Sequence, residues 1–357
     1  MLTLLLGMML SVAYFTLLER KALASFHIRK GPTKVGLYGL CQPLADGVKL
    51  FTKEFMVPYL SCKNVFFMVP AFGMVVSFGF WGLYSQMSTT SGSSFDMVLF
   101  LGVSSVGIYV VMLAGWSSNS KYASLAAIRG FAQAIGYEVA ISVYGALFSL
   151  SNFGFSFDWM GVESGKVMTT VGFAAGCMVW FILCLGETNR APFDFVEAES
   201  ELVSGYTVDY SGTGFALLFI AEYASLLMVS YVTARVYFPS VGFEEFFGGE
   251  FVVSLETLFV SYVFILIRGS LPRYRYDLFM MMCWKRLLPL GVCLIMVCLC
   301  LDAGYWIVDL VLETLGVLFW ESAGFYYFEG IFEMCGGLTC SEDQVFINIL
   351  DLVSSGS

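Results

Sequence analysis

Gly186–Tyr206 reads GETNRAPFDFVEAESELVSGY and lies between two long apolar runs, 167–186 and 211–234. Six carboxylates, Glu187, Asp194, Glu197, Glu199, Glu201 and Asp209, fall within 23 residues, with Arg190 as the base among them. Acids crowded beside a membrane must be solvated, paired or protonated, because an ion is costly in a low dielectric. A protonatable cluster at a membrane boundary suggests proton handling. Pro192 and Gly205 bracket a predicted short helix on which Asp194, Glu197 and Glu201 share a face. Glu197 and Glu201, four apart, repel there by about 0.2–0.5 kcal/mol even when solvated. A solvated acidic face is the ordinary explanation of such a run. Phe193, Phe195 and Leu202 argue against it, as do the apolar runs abutting both ends.

The flanking runs are typical of the whole chain. Of 357 residues, 58% are hydrophobic and 13% charged, where a soluble domain has about 25% charged. The expected fold class is therefore an all-α polytopic membrane protein without a separate soluble domain. Apolar runs predict eight transmembrane helices, at 1–18, 65–85, 97–116, 131–153, 167–186, 211–234, 251–267 and 287–308. Met1–Leu18 lacks a basic start and is followed by Glu19, Arg20 and Lys21, so it reads as a first span rather than a cleaved signal. The ten cysteines form no CxxC pair and His27 is the sole histidine. The expectation is no metal or iron–sulfur centre on this chain. Nor is there a glycine fingerprint for a nucleotide.

The basic residues orient the spans. Loops 19–64, 117–130, 187–210 and 268–286 hold 16 of the 18 Lys and Arg residues. By the positive-inside rule these loops face the matrix or cytoplasm, and both termini face outward. The net charge of −10 misleads, since 301–357 carries nine acids and no Lys or Arg. The eight-helix domain is expected over 1–308 and an acidic C-terminal tail over 309–357. Leu310–Trp320 is read as an interfacial helix, because a ninth span would bury Asp309 and Glu313 at about 2.5 kcal/mol or more each.

Several constellations remain on the basic side. Leu44, Val48, Phe51 and Phe55 make one apolar helical stripe, with Asp46, Lys49 and Lys53 opposite. Periodicity favours a helix resting on the bilayer; the alternative is a wall roofing a cavity. Arg20, Lys21, Arg29, Lys30 and Lys34 either anchor the membrane edge or steer a polar headgroup inward. Arg268, Arg273 and Arg275, interleaved with Tyr274 and Tyr276, read as a lipid-headgroup belt or a docking surface for an acidic protein. Two acids fall inside predicted spans: Glu138 about 10 Å and Glu222 about 16 Å along their helices from the basic side. Such carboxylates mark a proton or ion path. Glu256 is a weaker case.

At these residues the chain closely resembles the NADH–ubiquinone oxidoreductase chain 1 family, the quinone-site membrane subunit of respiratory complex I. The segments that carry the resemblance are LLERK (17–21), IRKGP (28–32), QPLADGVKLFTKE (42–54), GWSSNSKYA (115–123), RGFAQAIGYEV (129–139), Gly186–Tyr206 itself, FIAEYAS (219–225) and IRGSLPRYRYD (267–277). They extend from about Tyr14 to Leu290. The resemblance implies a quinone tunnel at Thr16, Arg20, Arg29, Asp46 and Phe219. It implies an acidic proton relay through Glu138, Glu187, Asp194, Glu197, Glu199 and Glu222, with Arg190 as counter-charge.

It also implies ubiquinone as substrate, with NADH, FMN and iron–sulfur clusters carried by partner subunits. Those partners are two quinone-site peripheral-arm subunits, small membrane subunits, antiporter-like subunits and membrane lipids, with no nucleic acid. The chain departs from the family pattern at His27, Thr33 and Glu256 and in its acidic tail. High Phe and Cys content favours the mitochondrial inner membrane over a bacterial plasma membrane. The rivals are a stand-alone proton- or cation-coupled transporter and the related subunit of a membrane-bound hydrogenase.

Overall fold

The computed structural model describes residues 2–87, 95–151, 171–196, 203–237 and 249–300. Glu197, Glu199, Glu201 and the acidic tail 309–357 lie outside the described residues. The chain divides into two units, Met1–Leu299 and Cys300–Ser357, and the helical bundle belongs to the first.

Regular structure among the described residues is helical, as lipid demands, since a helix satisfies its backbone polar groups within one segment. In chain order the helices are α1 (Leu2–Phe26), α2 (Gln42–Thr52), α3 (Lys63–Met87), α4 (Asp96–Ser118) and α5 (Lys121–Ser151). After them come α6 (Val171–Glu187), α7 (Gly212–Tyr237), α8 (Gly249–Ser270) and α9 (Tyr276–Cys300). The last includes a π-helical turn at Cys283–Leu287. Six described helices, α3, α4, α5, α7, α8 and α9, contain stretches long and apolar enough to cross a membrane. The chain is an all-helical, multi-pass membrane protein.

The helices run past the predicted membrane boundaries. The first ends at Phe26, α5 begins at Lys121 and α9 begins at Tyr276. Hydropathy marks where a segment leaves lipid, whereas hydrogen bonding marks where a helix ends, and Lys121 or Arg129 does not interrupt a backbone ladder. The predicted loop 117–130 therefore shrinks to a corner at Asn119, whose left-handed φ of 53° caps α4. Gly115 permits that corner: a Cβ there would lie 2.5 Å from the Ala123 carbonyl oxygen and 2.4 Å from the Ala127 Cβ.

The helix predicted between Pro192 and Gly205 is absent over its described start. Residues 191–196 form turns and bends, and 197–202 lie outside the described residues. Asn189, at φ 48°, has already broken the preceding helix.

Packing then positions the site. Helices α3, α4 and α5 are successive neighbours, α6 lies against α5, and α7 crosses both α3 and α8. Phe66, Phe100, Tyr144, Phe148 and Trp180 are almost fully buried between them. A second apolar cluster joins Met8, Val12 and Phe15 of α1 to Tyr223, Ala224 and Leu226 of α7 and Ile265 of α8. That contact brings the charged end of α1 against the middle of α7.

Candidate functional site: a buried charge cluster beside a polar cavity

The stretch after α6 is held at both ends by one side chain. Gln133 of α5 is fully buried, and its Nε2 donates to the carbonyls of Gly186 (3.2 Å) and Phe193 (3.0 Å). Phe193 and Phe195 pack on Phe279 of α9, with ring centroids 4.7 and 5.5 Å away. The backbone N–H of Tyr274 donates to the Pro192 carbonyl at 3.0 Å. The aromatic residues thus fasten this segment to the first turn of α9, which explains why they interrupt an acidic run.

Arg190 turns inward. Its Nη1 lies 2.6 Å from Glu19 Oε1, both groups buried. Tyr223 OH donates to Glu19 Oε2 at 2.7 Å, and Arg268 also reaches Oε1. The Arg190 guanidinium lies 4.4 Å from the Tyr223 ring centroid, a cation–π contact. Burial alone disfavours the Arg190 cation. Glu19, Tyr223 and Glu222 together outweigh that, and the pKa rises above the ordinary arginine value. Its charge is therefore permanent, and α1, α7, α8 and the segment after α6 share one ion cluster.

Beside this cluster lies a cavity of about 120 Å³ between α3, α4, α5 and α7, closed by residues after α6. Its polar lining comes from Ser77, Ser104, Tyr137, Glu187, Thr188, Asn189, Glu222 and Ser225. A space of that size, with these polar groups on an otherwise apolar wall, has room for several water molecules. Glu187 and Glu222 thus share one chamber. Glu187 Oε2 is buried with no hydrogen-bond partner among the described residues. Glu138 of α5 is in electrostatic reach of Glu187, and Tyr137 sits beside both.

The residues expected to form a quinone tunnel are spread over α1, α2 and α7. Arg20 and Asp46 pair at 2.5 Å, joining α1 to α2, and Gln42 Nε2 donates to the same carboxylate at 2.9 Å. Arg29 is exposed beyond α1. Thr16 is half-buried and donates to the Ala13 carbonyl at 2.7 Å. Phe219 packs between Phe215 and Tyr223 on α7, with its ring tilted to both. Leu44, Val48 and Phe51 of α2 are about 60% exposed, whereas Phe55 packs on Phe66 and Phe67.

The arginines expected on a docking loop have partners within the chain. Arg268 turns to Glu19, Arg273 Nη2 pairs with Asp194 at 2.9 Å, and Arg275 pairs with Asp277 at 2.8 Å. The last pair is largely exposed and contributes little to stability.

Sequence reasoning passed over Glu19, Gln133, Tyr137 and Tyr223. Glu19 opens a run of charges after an apolar span, the pattern of any membrane edge. Tyr137 and Tyr223 each adjoin a noticed acid, Glu138 and Glu222, and that adjacency was the available signal.

A family model described as NADH dehydrogenase matches residues 1–299. NADH-ubiquinone oxidoreductase chain 1 of Heterololigo bleekeri is 47% identical over 283 residues, 79% of this chain and 89% of that protein. The protein of the same name from Mytilus edulis is 41% identical over 306 residues, 85% and 95% of the two chains. That from Anopheles gambiae is 42% identical over 286 residues, 80% and 88%. Likeness of this strength spans the charge cluster, the cavity and the helices around them, and the chain belongs to the NADH dehydrogenase family of NADH–ubiquinone oxidoreductase chain 1 proteins.

Proposed function

We infer that the chain is a core membrane subunit of the proton-pumping NADH:ubiquinone oxidoreductase, in which it borders the path of the quinone and carries protons away from it. The observation that carries this reading is the shared chamber of Glu187 and Glu222, adjoining the ion cluster that ties it to α1. Glu138 interacts electrostatically with Glu187, and Glu197 and Glu199 are assigned to the same relay. On the near side, the Arg20–Asp46 pair borders the quinone path with Thr16, Arg29 and Phe219.

Reduction of a quinone takes two electrons and two protons. The electrons come from iron–sulfur clusters on peripheral-arm subunits, which also hold NADH and FMN; this chain supplies no redox centre. Its part is to let the charge change at the quinone be answered by proton movement among Glu222, Glu187 and Glu138 toward antiporter-like subunits. Carboxylates sharing a chamber suit this, since water can link them and each changes charge by one proton. In this reading eight spans cross the mitochondrial inner membrane, both termini lie outside, and the acidic tail follows the last span.

Asp46→Asn or Arg20→Ala breaks the α1–α2 pair without touching the buried cluster. Either is expected to lower NADH:quinone turnover per quinone concentration by about tenfold, the effect of about 1.4 kcal/mol. NADH:ferricyanide activity of the peripheral arm stays unchanged. Wild-type quinone kinetics would remove both residues from the path.

Gentle solubilisation followed by sizing separates this reading from a stand-alone transporter. The chain is expected in a large particle containing iron–sulfur subunits. Migration as a small homo-oligomer without them would favour the transporter.

A further inference from the structure

We propose that Gln133 is a positioning residue of the relay: its carboxamide closes the neck of the loop after α6 and so holds Glu187 in the cavity. This role rests on the reading that places Glu187 in the relay.

Gln133 lies wholly inside the protein, at 0% exposure. Its Nε2 donates at 3.2 Å to the Gly186 carbonyl and at 3.0 Å to that of Phe193. Carbonyls from opposite ends of the segment therefore meet at one amide, and the chain between them forms a closed loop. Asn189, with a φ of 48°, lies within the reversal. The loop carries both Glu187 and Arg190. Glu187, one residue beyond the neck, lines the cavity. Arg190, further round, is held by Glu19 of α1.

The donors of Gln133 are what the loop uses. An amide offers two N–H groups and a carbonyl oxygen. Nε2 serves two acceptors, whereas Oε1 is buried with no hydrogen-bond partner among the described residues. A buried acceptor without a partner is unfavourable, and an apolar side chain of the same length would fill the space without it. Neither carbonyl depends on Gln133 to be satisfied. Asn189 N also donates to the Gly186 carbonyl at 3.4 Å, and Phe195 N to that of Phe193 at 3.0 Å. Gln133 thus fixes where the two ends lie rather than supplying a missing partner.

Helix α5 is shaped to receive the loop. A Cβ at Gly130, one turn before Gln133, would lie 2.8 Å from Val196 Cγ2, so the chain leaving the neck passes close to the helix. Gly130 and Tyr137, one turn to either side of Gln133, both line the cavity. Gln133 therefore sets Glu187 against the face of α5 that walls the chamber. Arg190 has its own anchor in Glu19, and Phe193 and Phe195 have theirs in Phe279. Those anchors act on the tip and the far end of the loop, whereas Gln133 tethers the carbonyl next to Glu187. Releasing the neck therefore frees Glu187 while Arg190 stays held.

The test uses the assembled complex in its membrane, with a short-chain ubiquinone as the probe and turnover counted per assembled complex. Gln133→Met keeps an unbranched side chain of similar length and removes both donors. It is expected to lower kcat by about 10- to 100-fold, the scale of a misplaced reacting group. The quinone KM and NADH:ferricyanide activity stay unchanged. Gln133→Asn keeps the amide on a stem too short to reach both carbonyls. It is expected to lower kcat by about threefold to tenfold, the worth of one hydrogen bond, again at constant KM. That variant decides the matter if Gln133→Met fails to assemble. Combined with Glu187→Gln, Gln133→Met is expected to add no further loss, because the group it positions is already disabled.

Wild-type kcat in assembled Gln133→Met overturns the proposal, however little complex is made, as does wild-type kcat in Gln133→Asn when Gln133→Met cannot be made. If neither variant assembles, Gln133 is structural and the proposal falls. A raised KM at constant kcat also overturns it, since Gln133 would then act on the quinone path. So does a substantial further loss in the double variant, which would show a role independent of Glu187. Glu187→Gln alone separates the two levels. If it leaves turnover and proton translocation intact, the relay reading itself fails, and this role with it. If it impairs them while Gln133→Met is normal, only the role of Gln133 falls.

Discussion

Arg190→Met is expected to strip the membrane of most of its assembled NADH:quinone oxidoreductase. The substitution keeps an apolar stem but removes the charge from a cluster in which Glu19 is nearly inaccessible to solvent. Breaking one side of a buried ion pair costs about 3–5 kcal/mol, because the remaining charge is left without water or partner. Arg268 does not compensate fully, since its own side chain is 39% exposed and divides its contacts with solvent. Native gel electrophoresis and thermal dissociation of the complex would measure the loss. Normal amounts at normal stability would show that the Arg190–Glu19 pair is not structural. The double variant Glu19→Gln, Arg190→Met is expected to recover part of the assembly, because it removes the stranded charge together with its partner.

Glu187→Gln is expected to do the reverse, sparing assembly and stopping function. Glutamine keeps the shape and hydrogen bonding of the carboxyl group but cannot gain or lose the proton. Glu187 lines the cavity with Glu222, interacts with Glu138, and carries a buried oxygen with no partner among the described residues. Each of these marks a group whose charge is not tied up by structure. Loss of an essential proton carrier lowers a rate by about 100-fold or more. In reconstituted vesicles, NADH-driven quinone reduction and acidification should both fall to that extent, while NADH:ferricyanide turnover is unchanged. Full acidification by the variant would take Glu187 out of the relay. Glu138→Gln should act in the same direction and more weakly, as Glu138 lies outside the cavity lining.

The two predictions differ because the two residues differ in partners, and that difference was only partly legible in the chain. Crowding of acids at 187–209 and the lone Arg190 among them were plain. From the neighbours in sequence, Arg190 looked like the counter-charge of its own loop. Its ion-pair partner instead stands 171 positions away. Likewise Arg268, Arg273 and Arg275 looked like one outward-facing set, but the fold gives them three different acids, Glu19, Asp194 and Asp277. Nothing in the run IRGSLPRYRYD distinguishes them.

Composition, hydropathy and the ordered motifs determined that this is a helical multi-pass membrane protein, which acids it carries and to which family it belongs. Those properties add up locally: a residue's preference for lipid, or its place in a motif, does not depend on what lies across the bundle. Tertiary structure decided which charges meet. It brought Glu19 to Arg190, Tyr223 and Arg268, set Gln133 across the two ends of the segment after α6, and closed one cavity around Glu187 and Glu222. A buried ion must find its partner wherever packing places it. Separations of 171, 204 and 249 residues leave no periodicity from which that choice could be read.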